Sequence, residues 1–373
     1  MPEKTGSNVS DADLQFMKRA LSLAEKGRGM VSPNPMVGAV VVKDGKIVGE
    51  GYHERFGEAH AEVNALNQAG DDSIGATLYV TLEPCSHQGK TGPCTQKIYE
   101  AGISRVVVGI QDPNPLVDGK GFTFLRSKGI TVTDQVLAEK CRELNEGYFF
   151  YIKHKRPLIT LKFAQTLDGR IATSSGHSKW ITSEDARAQA HKLRARNDAI
   201  LIGIGTVLMD DPSLTVRMTK GVSPRRIVLD SQLRVPLDAS VLSNELPGQT
   251  VIITTENASK EKISRILEKN AHVLIMEADE RGWVPQEKLW NKLAEIGITS
   301  VVVEGGSSVY TECLKHKFAD KFYGFIAPKI LGSGIDTFGD LNIRNINSAI
   351  KLSNVAVKRL STDFLMTGDF QEL

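Results

Sequence analysis

Three short segments carry the residues best suited to chemistry: His60-Ala61-Glu62, Pro84-Cys85 and Pro93-Cys94. One imidazole and two thiolates are the ligand set of a catalytic zinc ion whose fourth position is kept for water. Two thiolates already neutralise Zn²⁺, so the metal alone acidifies its water only moderately, and a nearby carboxylate must take and return the proton. Glu62 is the available group. His60 and Glu62 are two positions apart, which in mid-helix would point them about 200° from each other. The pair therefore belongs in the first turn of a helix, with the incoming loop aiming His60. Cys85 is expected just after a strand over 77–82, and Cys94 at the start of the next helix, where the helix dipole favours thiolate. A closed structural zinc site is the alternative, and its fourth protein ligand would be His87.

In this order the residues match the zinc deaminase signature H-x-E…P-C-x-x-C, except that eight residues rather than two separate the cysteines. The inserted segment, Ser86-His87-Gln88-Gly89-Lys90-Thr91-Gly92-Pro93, is polar and basic. Through His87, Lys90, Thr91 and backbone N–H groups it could hold a charged group such as a phosphate. Upstream, Pro33-Asn34-Pro35 forms a rigid turn, and Asn34 offers both a donor and an acceptor to a pyrimidine edge.

The second half has weaker signals. Leu201–Leu208 reads as a strand entering a glycine turn, but the third glycine of G-x-G-x-x-G is replaced by Leu208. Val301–Val309 reads as an apolar strand, then Gly305-Gly306, then small polar residues opening a helix whose N–H groups can reach phosphate. Arg194 and Arg217 are available to a substrate phosphate, Trp180 to a ring, and Glu304 and Asp210 to the ordering of a reacting group.

The elements that must position these residues follow from periodicity. Ser10 with Asp13 caps a first helix carrying Leu14, Met17, Leu21 and Ala24. Val37–Val42 and Ile47–Glu50 form a hairpin about Asp44-Gly45. Then come a helix over 59–69, a strand over 77–82, a helix over 94–101 and a strand over 105–110, which imply a mixed sheet with helices on its faces. After the basic stretch Lys153–Pro157, seven strand-like segments begin at Leu158, Ala199, Arg226, Thr250, His272, Ser300 and Lys321. The expected organisation is two α/β domains, 1–152 and 158–373, joined by a linker over 153–157. Residues beyond about 335 give little pattern.

Composition agrees with a two-domain enzyme. The 373 residues exceed one ordinary domain, and 41% hydrophobic with 24% charged residues excludes disorder. With 46 basic and 44 acidic residues and only 6% aromatics, a nucleic-acid surface is not expected, which argues against an RNA-editing deaminase. No apolar run is long enough for a membrane helix, the N-terminus has no apolar signal region, and the four cysteines are expected as thiols or ligands.

Pro33-Asn34-Pro35-x-Val37-Gly38, His60-Ala61-Glu62, the run from Thr81 to Cys94 and Gln111-Asp112-Pro113-Asn114-Pro115 resemble the deaminase half of the bifunctional riboflavin-biosynthesis deaminase–reductase family. Leu167–Arg170, Ser178–Thr182, Leu193–Arg196, Asp210–Arg217 and Leu229–Ser231 resemble its reductase half. The resemblance implies a cytidine-deaminase-like α/β/α sandwich followed by a dihydrofolate-reductase-like α/β domain. It implies one Zn²⁺ on His60, Cys85 and Cys94, with Glu62 as proton shuttle. It implies NADPH along Ala164, Trp180, Thr206, Asp210, Ser231, Gly306, Ser307 and Ser308. Substrate would face Asn34, His87 and Lys90 in one site and Ser178, Arg194, Leu214, Arg217 and Glu304 in the other. The implied substrate is a phosphorylated pyrimidine, and the implied protein is a cytoplasmic homodimer or homotetramer that binds neither nucleic acid nor membrane.

Overall fold

The computed structural model describes residues 9–86, 92–269 and 271–371. The chain divides into two compact units, Met1–Lys155 and Arg156–Leu373.

In the first unit, helix α1 (Asp11–Ala24) starts at a capping box: Asp13 N–H donates to Ser10 Oγ and Ser10 N–H donates to the Asp13 carboxylate. Strands β1 (Gly38–Lys43) and β2 (Lys46–Tyr52) meet at Asp44-Gly45, both with positive φ, as the Asp-Gly turn demands. Helix α2 (Ala61–Ala69), β3 (Thr77–Leu82), α3 (Cys94–Glu100), β4 (Arg105–Ile110), α4 (Lys120–Ser127) and β5 (Thr131–Thr133) follow, then α5 (Ala138–Leu144) and α6 (Glu146–His154). The sheet order is β2-β1-β3-β4-β5. The tight hairpin forces β1 antiparallel to β2, whereas the helical crossovers make β3, β4 and β5 parallel.

Alternation along the strands sorts two apolar layers. Val41, Leu78, Val80, Val106 and Val108 pack on α2, α3 and α4, while Val40, Tyr79, Leu82 and Val107 pack on α1, α5 and α6. Strand β2 lies so close to α2 that a Cβ on Gly51 would sit 2.4 Å from the Ala61 carbonyl oxygen. That contact sets the height of the α2 N-terminus over the sheet. In the stretch expected as a linker, Lys153 and His154 finish α6, and Arg156 already belongs to the second unit, paired with Asp320 at 2.7 Å.

The second unit is built on a nine-stranded sheet of order β11-β10-β9-β8-β12-β6-β13-β16-β15. The seven expected strands are β6 (Leu158–Thr166), β8 (Ala199–Gly203), β9 (Arg225–Leu229), β10 (Thr250–Thr255), β11 (Ala271–Met276), β12 (Ser300–Val303) and β13 (Lys321–Ala327), all mutually parallel. Between them run α7 (Glu184–Ala195), α8 (Ile204–Asp210), α9 (Lys260–Leu267), α10 (Gln286–Glu295) and α11 (Ser307–Lys315). A two-stranded ribbon, β7 (Arg170–Ala172) with β14 (Ile335–Asp336), stands apart from the sheet. The uninformative tail contains the antiparallel hairpin β15 (Leu352–Leu360) and β16 (Asp363–Phe370). Most of β15 is exposed, so no buried face imposed a period-two pattern that could have announced it. The glycine turn expected after Leu201-Ile202 is also corrected: Gly203 is the N-cap of α8, which begins directly at Ile204.

Candidate functional site

In the first unit three elements deliver one side chain each to a single point. His60 is the N-cap residue of α2, in extended conformation, and Glu62 lies in the first turn. Cys85 follows β3, and Cys94 is the first residue of α3. Cys94 N–H donates to Cys85 Sγ at 3.4 Å, and Thr95 N–H donates to the Cys85 carbonyl at 3.1 Å, so the α3 N-terminus grips the Cys85 loop. His60 Nδ1 lies 3.2 Å from Cys94 Sγ and 3.6 Å from Cys85 Sγ, and the three ligand atoms fall within 4.8 Å of one another.

A tetrahedral zinc ion with ordinary bond lengths would set its N···S edges at about 3.6 Å, so this donor set fits zinc in both chemistry and spacing. The Cys94 hydrogen bond, followed by that of His60, pulls the Cys85 thiol down to about 4, and the Cys85 sulfur raises His60 to about 9. A dication entering here displaces protons. Glu62 is only 3% exposed, and burial pushes its carboxyl up from the ordinary range.

Around the trio, His53 is the residue sequence reasoning missed. Its Nδ1 is 3.1 Å from the Ala59 carbonyl, its Nε2 is 3.2 Å from Asn34 Nδ2, and its ring stands edge-on to His60 at 5.5 Å. Asn34, expected to read a pyrimidine edge, thus has its Nδ2 turned to His53. The Asn34 turn is itself held from far along the chain, because the Asn145 side-chain amide pairs with both the N–H and C=O of Met36, each at 2.8 Å.

Glu83, two residues before Cys85, is a second omission. Its carboxylate accepts N–H groups from Gly121 (2.9 Å), Gly119 (3.1 Å), Asp112 (3.3 Å) and Phe122 (3.4 Å). The Asp112–Phe122 stretch is thereby tied to the Cys85 loop. Asp112 accepts from Tyr148 Oη at 2.9 Å, and burial lifts its carboxyl to about 6. Lys90, expected as a substrate contact, and His87, expected as a substrate contact or, in a closed zinc site, as the fourth ligand, lie outside the described residues.

In the second unit a cavity of about 1130 Å³ opens at the C-terminal ends of β6, β8, β9 and β12, where ligands sit in open parallel sheets. Every side chain singled out in this half lines it. Ala164 comes from β6, Ser178 and Trp180 from the segment before α7, Arg194 from α7, Thr206 and Asp210 from α8, and Leu214 and Arg217 from beyond α8. Ser231 follows β9, while Glu304, Gly306, Ser307 and Ser308 follow β12. Glycine permits this convergence: a Cβ on Gly305 would lie 2.7 Å from Thr206 Oγ1.

Glu304 is the electrostatic centre of the cavity. Arg194 donates to it from Nε at 2.6 Å and Nη2 at 2.9 Å, and Lys162 Nζ is 3.3 Å away. Burial alone would raise the Glu304 carboxyl, yet Arg194 and Lys162 hold it at about 2. Arg194 also donates to the Thr215 carbonyl at 3.1 Å, which commits three of its five N–H groups to protein acceptors. Arg194, expected to be available to a substrate phosphate, thus has a carboxylate 110 positions away as a partner and keeps two N–H groups for another acceptor.

Asp210 likewise accepts from Ser178 Oγ at 3.0 Å. Trp180 is 61% exposed, with the Arg187 guanidinium 4.5 Å over its ring. Lys162, Arg187 and His191 also line the cavity, and none of them was among the expected site residues.

The fold and the ligand trio define a zinc-binding deaminase-type domain, followed by an α/β domain with a cofactor-sized crevice at its strand ends. Residues 10–110 match the model of the cytidine and deoxycytidylate deaminase zinc-binding region, and residues 157–366 match the RibD C-terminal domain. The riboflavin biosynthesis protein RibD of Aquifex aeolicus is 50% identical over 359 residues, 96% of this chain and 98% of that protein. The Escherichia coli protein of the same name is 43% identical, over 86% of this chain and 89% of its own length.

Among solved structures, a diaminohydroxyphosphoribosylaminopyrimidine deaminase/5-amino-6-(5-phosphoribosylamino)uracil reductase from Thermotoga maritima superposes with a TM-score of 0.83 at 40% identity, covering 96% of this chain and 99% of that one. Acinetobacter baumannii RibD superposes at 0.84 with 34% identity, over 96% and 99% of the two chains. This chain belongs to the RibD family of riboflavin biosynthesis proteins and carries both its deaminase and its reductase domain. Among the described residues no helix is long and apolar enough to cross a membrane.

Proposed function

We propose that the chain performs two consecutive steps of riboflavin biosynthesis. The first is hydrolytic deamination of 2,5-diamino-6-(5-phosphoribosylamino)pyrimidin-4(3H)-one: water adds at the aminated C2, ammonia leaves, and 5-amino-6-(5-phosphoribosylamino)uracil results. The second reduces the ribosyl group to ribityl at the expense of NADPH. The observation that carries the reading is the convergence of His60 Nδ1, Cys85 Sγ and Cys94 Sγ within 4.8 Å, with a buried carboxylate two positions beyond the histidine.

Zinc held there would supply Lewis acidity to the attacking water. Glu62 takes the proton of that water and returns it to the departing amine, and its burial keeps bulk water from competing for the proton. Asn34 is kept beside the trio by His53.

In the second unit, NADPH when bound would supply the hydride. The N–H groups at the start of α11, from Gly306 to Ser308, suit its phosphates, and the exposed Trp180 ring suits stacking. Ala164, Thr206, Asp210 and Ser231 line the rest of its path. Ser178, Leu214 and Arg217 face the substrate, while Arg194 and Glu304 form a rigid pair that orders the opened sugar.

By family likeness we also assign the chain a cytoplasmic place and a homodimeric or homotetrameric state. Glu62→Ala tests the first site. Ammonia release should fall at least a thousandfold, while bound zinc and NADPH oxidation with 5-amino-6-(5-phosphoribosylamino)uracil stay within twofold of the unaltered protein. Ammonia release surviving in that variant would remove Glu62 from the reaction.

A further inference from the structure

Helix α7 turns one face into the cavity of the second unit, and Arg187, His191 and Arg194 lie along it at spacings of four and three. His191 is 4% exposed, and neither proposed step uses it. Its Nδ1 accepts the backbone N–H of Arg217 at 3.2 Å. A backbone amide can only donate, so Nδ1 carries no proton and the neutral ring bears its proton on Nε2. Burial, then the charges of Arg194 and Arg217, pushes the imidazole down to about 4, which keeps the ring in this state through the neutral range.

Among the described residues no protein group accepts from Nε2. The buried side-chain polar atoms that lack partners belong to Arg170, Asp230, Gln286 and Trp290, so Nε2 is not sealed within protein and opens on the cavity that His191 lines. The charges that act most strongly on the ring are those of Arg194 and Arg217, then those of Glu304 and Lys162, three positive and one negative.

We propose that His191 is a substrate-anion ligand, donating from Nε2 to the phosphate of the sugar-phosphate substrate beside Arg217. The assignment rests on the reductase reading above and deepens it. A neutral donor is what this place calls for. A fourth cation would repel Arg194 and Arg217, whereas an imidazole N–H adds a directional bond at no cost in charge. The phosphate ester could come from the sugar substrate or from the dinucleotide. The bond from the Arg217 backbone N–H to His191 Nδ1 favours the sugar, since the α11 turn is the place for the dinucleotide.

The test uses the full chain with 5-amino-6-(5-phosphoribosylamino)uracil and NADPH, comparing His191→Leu with His191→Gln, which retains a donor. A hydrogen bond to a charged acceptor predicts a rise in KM for the phosphorylated substrate of about ten- to a hundredfold in His191→Leu. Its kcat should stay within about threefold, KM for NADPH should not change, and His191→Gln should recover most of the loss. The dephosphorylated nucleoside should be turned over equally poorly by all three proteins.

An unchanged KM in His191→Leu, a raised KM for NADPH, or a glutamine variant as impaired as the leucine variant while melting normally would each overturn the assignment. If His191→Leu does not fold, ¹⁵N-histidine NMR of the unaltered protein decides. The resonance missing from His191→Gln must report an Nε2–H tautomer between pH 5 and 8 and move when D-ribose 5-phosphate is added. A resonance indifferent to ribose 5-phosphate refutes the proposal. Absence of NADPH oxidation by the unaltered protein would instead refute the underlying reductase reading, a distinguishable failure.

Discussion

Replacing Glu83 by Gln tests whether one carboxylate ties the Cys85 loop to the segment that follows β4. Four backbone N–H groups converge on its two oxygens, a pair on each, and each oxygen has one short bond, 2.9 Å to Gly121 or 3.1 Å to Gly119. A glutamine must turn its NH₂ toward one of these pairs, so it loses one strong and one long bond and sets donor against donor. A bond to a charged acceptor contributes about 1.5–3 kcal/mol, and the longer bonds of 3.3 and 3.4 Å contribute less.

The expected loss is therefore about 2–4 kcal/mol, a large share of the ~5–15 kcal/mol that holds a domain folded. For a unit of this size that is a fall of roughly 5–15 °C in melting temperature. The second unit serves as an internal control. Differential scanning calorimetry should show the transition of the first unit moving down and that of the second staying in place. Ammonia release and zinc content should fall together while NADPH oxidation persists. A first transition that moves by less than about 2 °C, with zinc retained, would refute the claim that Glu83 positions this loop.

Two further predictions concern buried charge. Arg105, Ser10 and Tyr79 hold the Asp13 carboxyl at about 2 against the opposing effect of burial. Its folded value thus lies below its unfolded one, and the stabilisation of about 2 kcal/mol is present above pH 4 and lost as pH falls toward 2. Urea midpoints should converge for Asp13→Asn and the unaltered protein near pH 2 and separate above pH 4; parallel curves would refute the linkage. In the second unit, Glu304→Gln leaves Arg194 and Lys162 without their anion. It should cost about 3–5 kcal/mol in urea unfolding of that unit and abolish NADPH oxidation while sparing ammonia release; a variant as stable as the parent would show that water already compensates the two cations.

Local grammar was readable where neighbours in sequence are neighbours in space. Ser10 and Asp13 cap each other within one turn, Asp44-Gly45 closes its hairpin with two positive φ angles, and the apolar runs at Thr77 and Arg105 became strands between helical layers. The three-residue strand β5 and the exposed β15 hid because neither presents an alternating buried face long enough to detect. The partners of the site residues hid for a different reason: Glu304 meets Arg194 across 110 positions, and Met36 meets Asn145 across 109.

The order of ligand types along the chain, one imidazole, a carboxylate two positions on and two proline-preceded cysteines, was set by the sequence alone, because a metal ion demands particular donor atoms whatever scaffold carries them. Tertiary structure decided which buried charges face one another, and so gave Arg194 a carboxylate partner and His191 a fixed tautomer. Such pairings depend on the sum of strand order, crossover and helix rotation. A change of a few ångströms in that sum exchanges one partner for another, and no local pattern of residues records it.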